Sequence, residues 1–235
     1  MLGRLAALLL LLVGGLRACV AYEYEHEFWL EVDGSGTVFV TGRPPLWAAF
    51  KGLPRPDADE AALREAAREL FERSGLRVRR VTVTHRRGQP YLFVAADFDD
   101  VNRLGGTPAF PDLDIRLTPA GERLHLDGAW RPARPAGTPA LDGLMAVRFH
   151  LPSKIYVHRN AFGGVERGNI VGWRQDVARG LAGQPLEFGA EIGRQSILLS
   201  TVSLFAAAIV GGLAVIAVAV LWIRHTGQRR ARAGP

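Results

Sequence analysis

Five aspartates stand close together in this chain: Asp97, Asp99 and Asp100, then Asp112 and Asp114. Carboxylate oxygens in such numbers are what a calcium ion takes, but their spacing fits no calcium loop, and no glycine stands where an EF-hand needs its sharp turn. Turn capping and solvated carboxylates at a strand end are the expected reading instead. Five of the six histidines, His26, His85, His125, His150 and His158, precede residue 195, and no two have the i, i+4 spacing of a zinc-binding helix. His150 and His158 are near enough in sequence to meet across adjacent strands as a metal pair, but ordinary sheet-face histidines are the default reading. Glu166 and Asp176 would serve as the two carboxylates of a glycosidase if the fold brought them together. The run 163–169, Gly-Gly-Val-Glu-Arg-Gly-Asn, has the glycines of a phosphate loop but lacks its Lys and Ser/Thr, and reads better as a hairpin loop. No Gly-x-Ser-x-Gly elbow occurs, and neither Ser74 nor Ser153 has a recognisable base. The sequence therefore assigns no catalytic residue, no cofactor-binding residue and no metal ligand.

The elements that would position these groups are easier to read. Residues 22–32 alternate strictly, with Tyr22, Tyr24, His26, Phe28, Leu30 and Val32 on one face and Glu23, Glu25, Glu27, Trp29 and Glu31 on the other. Period two with one apolar face is a half-buried strand, its glutamates solvated. The turn residues Asp33, Gly34, Ser35 and Gly36 lead into a second strand over 37–41, making a hairpin. Residues 44–50, Pro-Pro-Leu-Trp-Ala-Ala-Phe, read as an apolar loop that tucks into the core or rests at a lipid interface. Asp57 or Asp59 then caps an amphipathic helix whose Leu63, Ala66, Ala67, Leu70 and Phe71 form one stripe, stopped by Gly75.

Further hairpins follow at 78–84 with 91–98 and at 113–117 with 124–126, and residues 130–143 read as an irregular loop rich in Pro, Ala and Gly. Strands are expected again at 144–151, 155–158, 170–174 and 186–192. The fold class is α+β: an antiparallel, β-rich domain with one amphipathic helix, followed by a single C-terminal transmembrane helix.

That last helix rests on the uninterrupted apolar run 202–223, about 20 residues at about 1.5 Å each, which matches a bilayer's hydrocarbon core. Arg224, Arg229, Arg230 and Arg232 follow it and no acid occurs after Glu191, so the tail is expected in the cytoplasm. At the other end Arg4 precedes the short apolar stretch 5–16, which suits an export signal. Cys19, the only cysteine, closes that segment. Cleavage ahead of Tyr22 and lipidation of Cys19 both fit; Arg17 stands where a lipid box wants a small or aliphatic residue, which favours cleavage, and an uncleaved signal anchor is the third option. The organisation expected is thus signal peptide 1–21, extracytoplasmic α+β domain 22–195, transmembrane helix 196–223 and basic cytoplasmic tail 224–235, in a single-pass protein of the cytoplasmic (inner) membrane.

The net charge of +6 does not indicate a nucleic-acid partner. Six of the 29 basic residues lie in the two terminal segments, leaving 23 bases against 23 acids in 22–195. A neutral domain offers no stripe for a phosphate backbone, and the terminal excess suits topology and anionic headgroups.

The run Phe149-His150-Leu151-Pro152-Ser153-Lys154-Ile155, then Asn160, then Glu166-Arg167-Gly168-Asn169-Ile170-Val171-Gly172-Trp173, followed by a single span, resembles uncharacterised bacterial envelope proteins of the LppM-like type. The order of parts is similar over most of the chain, and the motif match is confined to 149–173. The resemblance implies an envelope protein in contact with lipids or glycolipids, and it transfers no catalytic residue. Function is therefore expected to be non-catalytic: binding of an envelope partner, a membrane protein or a lipid-like ligand. A cavity lined by Phe28, Phe93, Val147 and Phe188 would favour lipid, and a filled core would favour protein contact. A tethered hydrolase acting on cell-wall glycan is the alternative, and it requires two carboxylates, or a carboxylate and a histidine, to converge. Ala206, Ala207, Ala208, Gly211 and Gly212 offer a small-residue helix face for a partner within the bilayer.

Overall fold

A computed structural model describes residues 22–54, 59–132, 142–194 and 197–232, with side chains in the last segment described over 201–222. Residues 1–21, and with them the signal and Cys19, lie outside the described residues, as do Asp57 and most of the loop expected at 130–143.

The alternating segments form eleven strands: β1 Tyr22–Leu30, β2 Gly36–Gly42, β3 Arg77–Arg86, β4 Gln89–Phe98, β5 Leu113–Ala120, β6 Arg123–Trp130, β7 Leu144–His150, β8 Ile155–Arg159, β9 Val165–Glu166, β10 Ile170–Asp176 and β11 Leu186–Gly193. They divide into a seven-stranded sheet, β3-β4-β2-β1-β7-β10-β9, and a four-stranded sheet, β5-β6-β11-β8. The fold is α+β with antiparallel sheets, except that β1 and β7 pair in parallel, Glu27 opposite Arg148 and Trp29 opposite His150. Local hairpins cannot make that pair; it joins segments more than 100 residues apart, and the connection between them carries two of the four strands of the second sheet, β5 and β6.

The sheets stack through their apolar faces. Phe188 of β11 lies 5.4 Å from Phe149 and 5.7 Å from Trp173 of the larger sheet, and Trp130 of β6 stacks on Tyr24 at 5.4 Å. Trp130, expected to open an irregular loop, is instead the buried end of β6. The remaining part of the large sheet is covered at β3 and β4 by two helices, α1 Pro44–Lys51 and α2 Glu60–Arg73.

Residues 44–50, read above as a loop, are a helix. Two prolines fill its first positions, where their missing N–H groups cost nothing, and Gly52 closes it in the left-handed conformation. Leu46 and Trp47 have no exposure, which places this segment in the core. In α2 the buried residues are Leu63, Ala67, Leu70 and Phe71. Between β4 and β5 a short 3-10 turn, Val101–Arg103, is tied to the second sheet by Asn102, whose side chain both accepts from the Leu117 N–H at 2.7 Å and donates to the Leu117 carbonyl at 3.2 Å.

The short helix α3, Val177–Leu181, links β10 to β11, and α4, Ile197–Arg232, follows β11. Within α4 the stretch Thr201–Trp222 has a mean hydropathy of 2.8, and none of it is buried against the body: one helix long and apolar enough to cross a membrane.

Candidate functional site

One face of the seven-stranded sheet packs inward; the other carries no covering element among the described residues except the segment around Phe162, whose N–H donates to the Gly172 carbonyl at 2.8 Å. The strand period decides what this open face displays. Glu23, Glu25, Glu27 and Trp29 point outward from β1, Phe39 from β2, Phe93 from β4, and Arg148 and His150 from β7.

An aromatic row crosses this face. Phe93 stacks on Phe39 at 5.9 Å, Phe39 meets Trp29 edge-on at 6.3 Å, and the His150 ring lies flat against Trp29 at 3.9 Å. Arg80 closes the far end, 5.0 Å over Phe93. Trp29 is 49% exposed, an unusual state for the largest apolar side chain. Beside it run three pairs: His150 Nε2 to Glu27 at 2.6 Å, Arg148 to Glu25 at 3.7 Å, and Glu23 accepting from the Tyr91 hydroxyl at 3.0 Å. Of the four glutamates expected to be solvated, Glu31 is exposed, whereas Glu23, Glu25 and Glu27 are partly buried and partnered. Burial raises the Glu25 carboxyl above its usual range, Arg148 opposes the shift and Glu27 adds to it.

Two clefts open on this side of the molecule, one alongside the Trp29–Phe39 part of the row and one towards β10. One, of about 430 Å³, is bordered by Trp29, Phe39, Thr37, Arg77, Arg79 and Asp97. The other, of about 640 Å³, lies under the Phe162 segment and is bordered by Tyr22, Arg148, Glu166 and Arg174, the last packed on the Phe162 ring at 3.0 Å. This arrangement offers flat apolar contact with charges of both signs around it, the composition of a recognition surface.

The residues singled out from the sequence fare differently. Asp97 is held by Arg79 at 2.7 Å and by the Thr37 hydroxyl at 2.8 Å, Asp99 by Arg77 at 2.6 Å, and Asp114 pairs with Arg131 at 3.8 Å. Asp100 caps the 3-10 turn by accepting from the Asn102 N–H at 2.9 Å. No group of three or more His, Cys, Asp or Glu able to hold a metal ion occurs among the described residues. His150 and His158 do not meet: β7 belongs to the large sheet and β8 to the small one. Glu166 stands opposite Ile170, six residues along β10 from Asp176, a separation of about 20 Å. The run 163–169 forms β9 and its turn to β10, with Arg167 and Gly168 both left-handed. Phe28, Val147 and Phe188 are packed in the core with no exposure, while Phe93 points to the opposite face, so the four line no common cavity.

A second group was not foreseen. Behind the open face, Tyr24, His26 and Lys51 lie within the core beside Trp47, Phe110 and Trp130. Lys51 Nζ donates to the Ala109 carbonyl and sits 4.5 Å over the Phe110 ring, while neither nitrogen of His26 has a partner. Burial pushes Lys51 down to about 7, with Asp112 opposing, and pushes His26 well below its usual value, with Lys51 adding to the effect.

No protein-family model matches this chain, and no curated protein matches it either. Its function has to be argued from the two faces of the sheet. The outward Trp among the β1 glutamates was the one mark of the open face in the sequence.

Proposed function

We propose that this chain is a non-catalytic, membrane-anchored protein whose extracytoplasmic body binds a partner in the cell envelope. The observation that carries this reading is the open face of the seven-stranded sheet, where Trp29, Phe39 and Phe93 form an apolar row bordered by paired charges. An exposed row of aromatics on a rigid sheet costs little ordering on binding, which is why such residues anchor interfaces. The filled core around Phe28, Val147 and Phe188 favours contact at this face, with another envelope protein, over a lipid held between the sheets. In this reading residues 1–21 export the chain, α4 crosses the cytoplasmic membrane and the basic tail remains inside. The resemblance of 149–173 to LppM-like envelope proteins is consistent with it, and lipid-like ligands are the other partner class.

The test compares full-length protein with a Trp29→Ala, Phe39→Ala variant, each extracted into native nanodiscs and searched by mass spectrometry for companions. A stoichiometric companion retained by the parent and lost by the variant supports the reading. Equal retention by both places the interface elsewhere and refutes it.

One observation favours the second reading, a tethered hydrolase: His150 and Glu27 converge at 2.6 Å, with Glu25 next along the same face. A histidine oriented by a carboxylate is a general base in waiting. Release of soluble fragments from cell-wall glycan by the parent, abolished in His150→Ala, would establish it; no release by either would dispose of it.

A further inference from the structure

We infer that the end of the four-stranded sheet next to α4 docks on the bilayer through anionic phospholipid headgroups. This rests on α4 being a membrane span. β11 ends at Gly193 and α4 begins at Ile197. Three residue steps from Arg194 to Ile197 reach at most about 11 Å. The apolar stretch Thr201–Trp222 covers about 33 Å, which fills the hydrocarbon core and leaves the first turn of α4 at headgroup depth. Arg194 and whatever surrounds it are therefore held within about one Debye length of the headgroups.

What surrounds it suits that place. The Arg194 guanidinium donates to the Gly121 carbonyl at 3.1 Å, which fixes the β5–β6 turn beside it. The Gly193 N–H donates to the Lys154 carbonyl, and the Ile155 N–H donates to the Gly168 carbonyl, so Lys154 and the Arg167-Gly168 turn belong to the same end. Tyr156 is 52% exposed, flanked by Lys154 at 5.5 Å and Arg123 at 4.6 Å from its ring. Arg123 is neutralised by Glu191 at 2.6 Å, but Lys154, Arg167 and Arg194 have no carboxylate within 4 Å among the described residues. Glu122 and Glu166 are the acids at this end outside that pair. A tyrosine with lysine and arginine around it is the side-chain set enriched at membrane–water interfaces, where the ring lies among headgroups and the cations meet phosphates.

The experiment uses full-length protein in a Cys19→Ser background, carrying one new cysteine for a fluorophore at Ala120→Cys, Thr84→Cys or Leu213→Cys. Nitroxide lipids at headgroup or mid-bilayer depth quench the label in nanodiscs of phosphatidylcholine alone or with phosphatidylglycerol. The docked end predicts headgroup-depth quenching at 120 but not at 84, stronger with phosphatidylglycerol and weakened by salt. Lys154→Glu should reduce the docked population roughly five- to tenfold. Quenching at 120 no greater than at 84, while 213 is quenched from mid-bilayer, overturns the docking alone. Absence of mid-bilayer quenching at 213 overturns the span, and the docking with it.

Discussion

Replacing Lys51 by methionine should stabilise the protein at neutral pH and flatten its response to alkali. The Lys51 amine lies among Trp47, Phe71 and Phe110, and burial lowers it from 10.5 to about 7. In the unfolded chain it titrates at its ordinary value. Between those limits the unfolded state holds a proton that the folded state lacks, so stability rises as pH rises from 7 toward 10.5 and is lost again as pH falls back to 7. From pH 7 to pH 9 the gain is about 2 kcal/mol, because one pKa unit is worth about 1.4 kcal/mol and half-titration at pH 7 removes part of the first unit. At pH 7 the remaining burial penalty is about 4 kcal/mol. Methionine is free of that penalty but leaves the Ala109 carbonyl unpaired, which costs about 1–3 kcal/mol, so the variant should be about 2 kcal/mol more stable at pH 7. Its advantage should close near pH 9. Urea unfolding of the full-length chain in detergent, followed by tryptophan fluorescence across this range, measures both slopes. A parent that is no more stable at pH 9 than at pH 7, or a Lys51→Met variant less stable throughout, would refute a lysine buried in this way.

The same measurement carried below pH 6.5 should find stability falling as pH falls, since His26 stays neutral in the fold while its unfolded counterpart takes up a proton; His26→Phe should reduce that loss. Gly128→Ala should cost about 1–3 kcal/mol in urea unfolding, because a Cβ there would meet the Asp114 carbonyl and the Phe188 ring in the layer between the sheets. Phe28→Ala, which empties a site stacked on Phe149 at 4.9 Å, should cost about 3–5 kcal/mol. Trp29→Ala should leave the unfolding midpoint nearly unchanged while abolishing partner retention in nanodiscs, because half of that ring already faces water.

Most strand positions were legible because most strands bury one face, and period two records that burial residue by residue; Leu92, Val94, Ala96 and Phe98 point inward as their spacing requires. Which strands share a sheet was not legible. The pairing of β1 with β7 joins distant segments, and no local residue pattern encodes a partner that far away. The helix at Pro44–Lys51 was hidden by its two prolines and by an N-cap, Arg43, whose side chain does not cap the helix but donates to Gln89 instead. Once it is a helix, Trp47 and Lys51 fall at i and i+4 on one face, and the lysine follows the tryptophan into the core. The open face was half visible: alternation put Trp29 outward, but its stacking with His150 depends on the parallel register, and so does the Glu27 pair.

The body enters and leaves its sheets at opposite ends. β1 begins with Tyr22 beside Leu144, whereas β11 finishes beside Lys154, next to the turn that adjoins His150 and Trp29. Tyr22 and Trp29 are seven strand steps apart, about 23 Å. If α4 crosses a bilayer as proposed, a fatty-acyl chain on Cys19, three residues before Tyr22, would have about 10 Å of backbone with which to reach the same bilayer. The two attachments therefore set posture. Held by α4 alone, the body would stand upright on its docked end with its aromatic face turned sideways to neighbours, whereas a second anchor at Cys19 would lay it along the membrane like a plank and decide which of its surfaces any neighbour can touch.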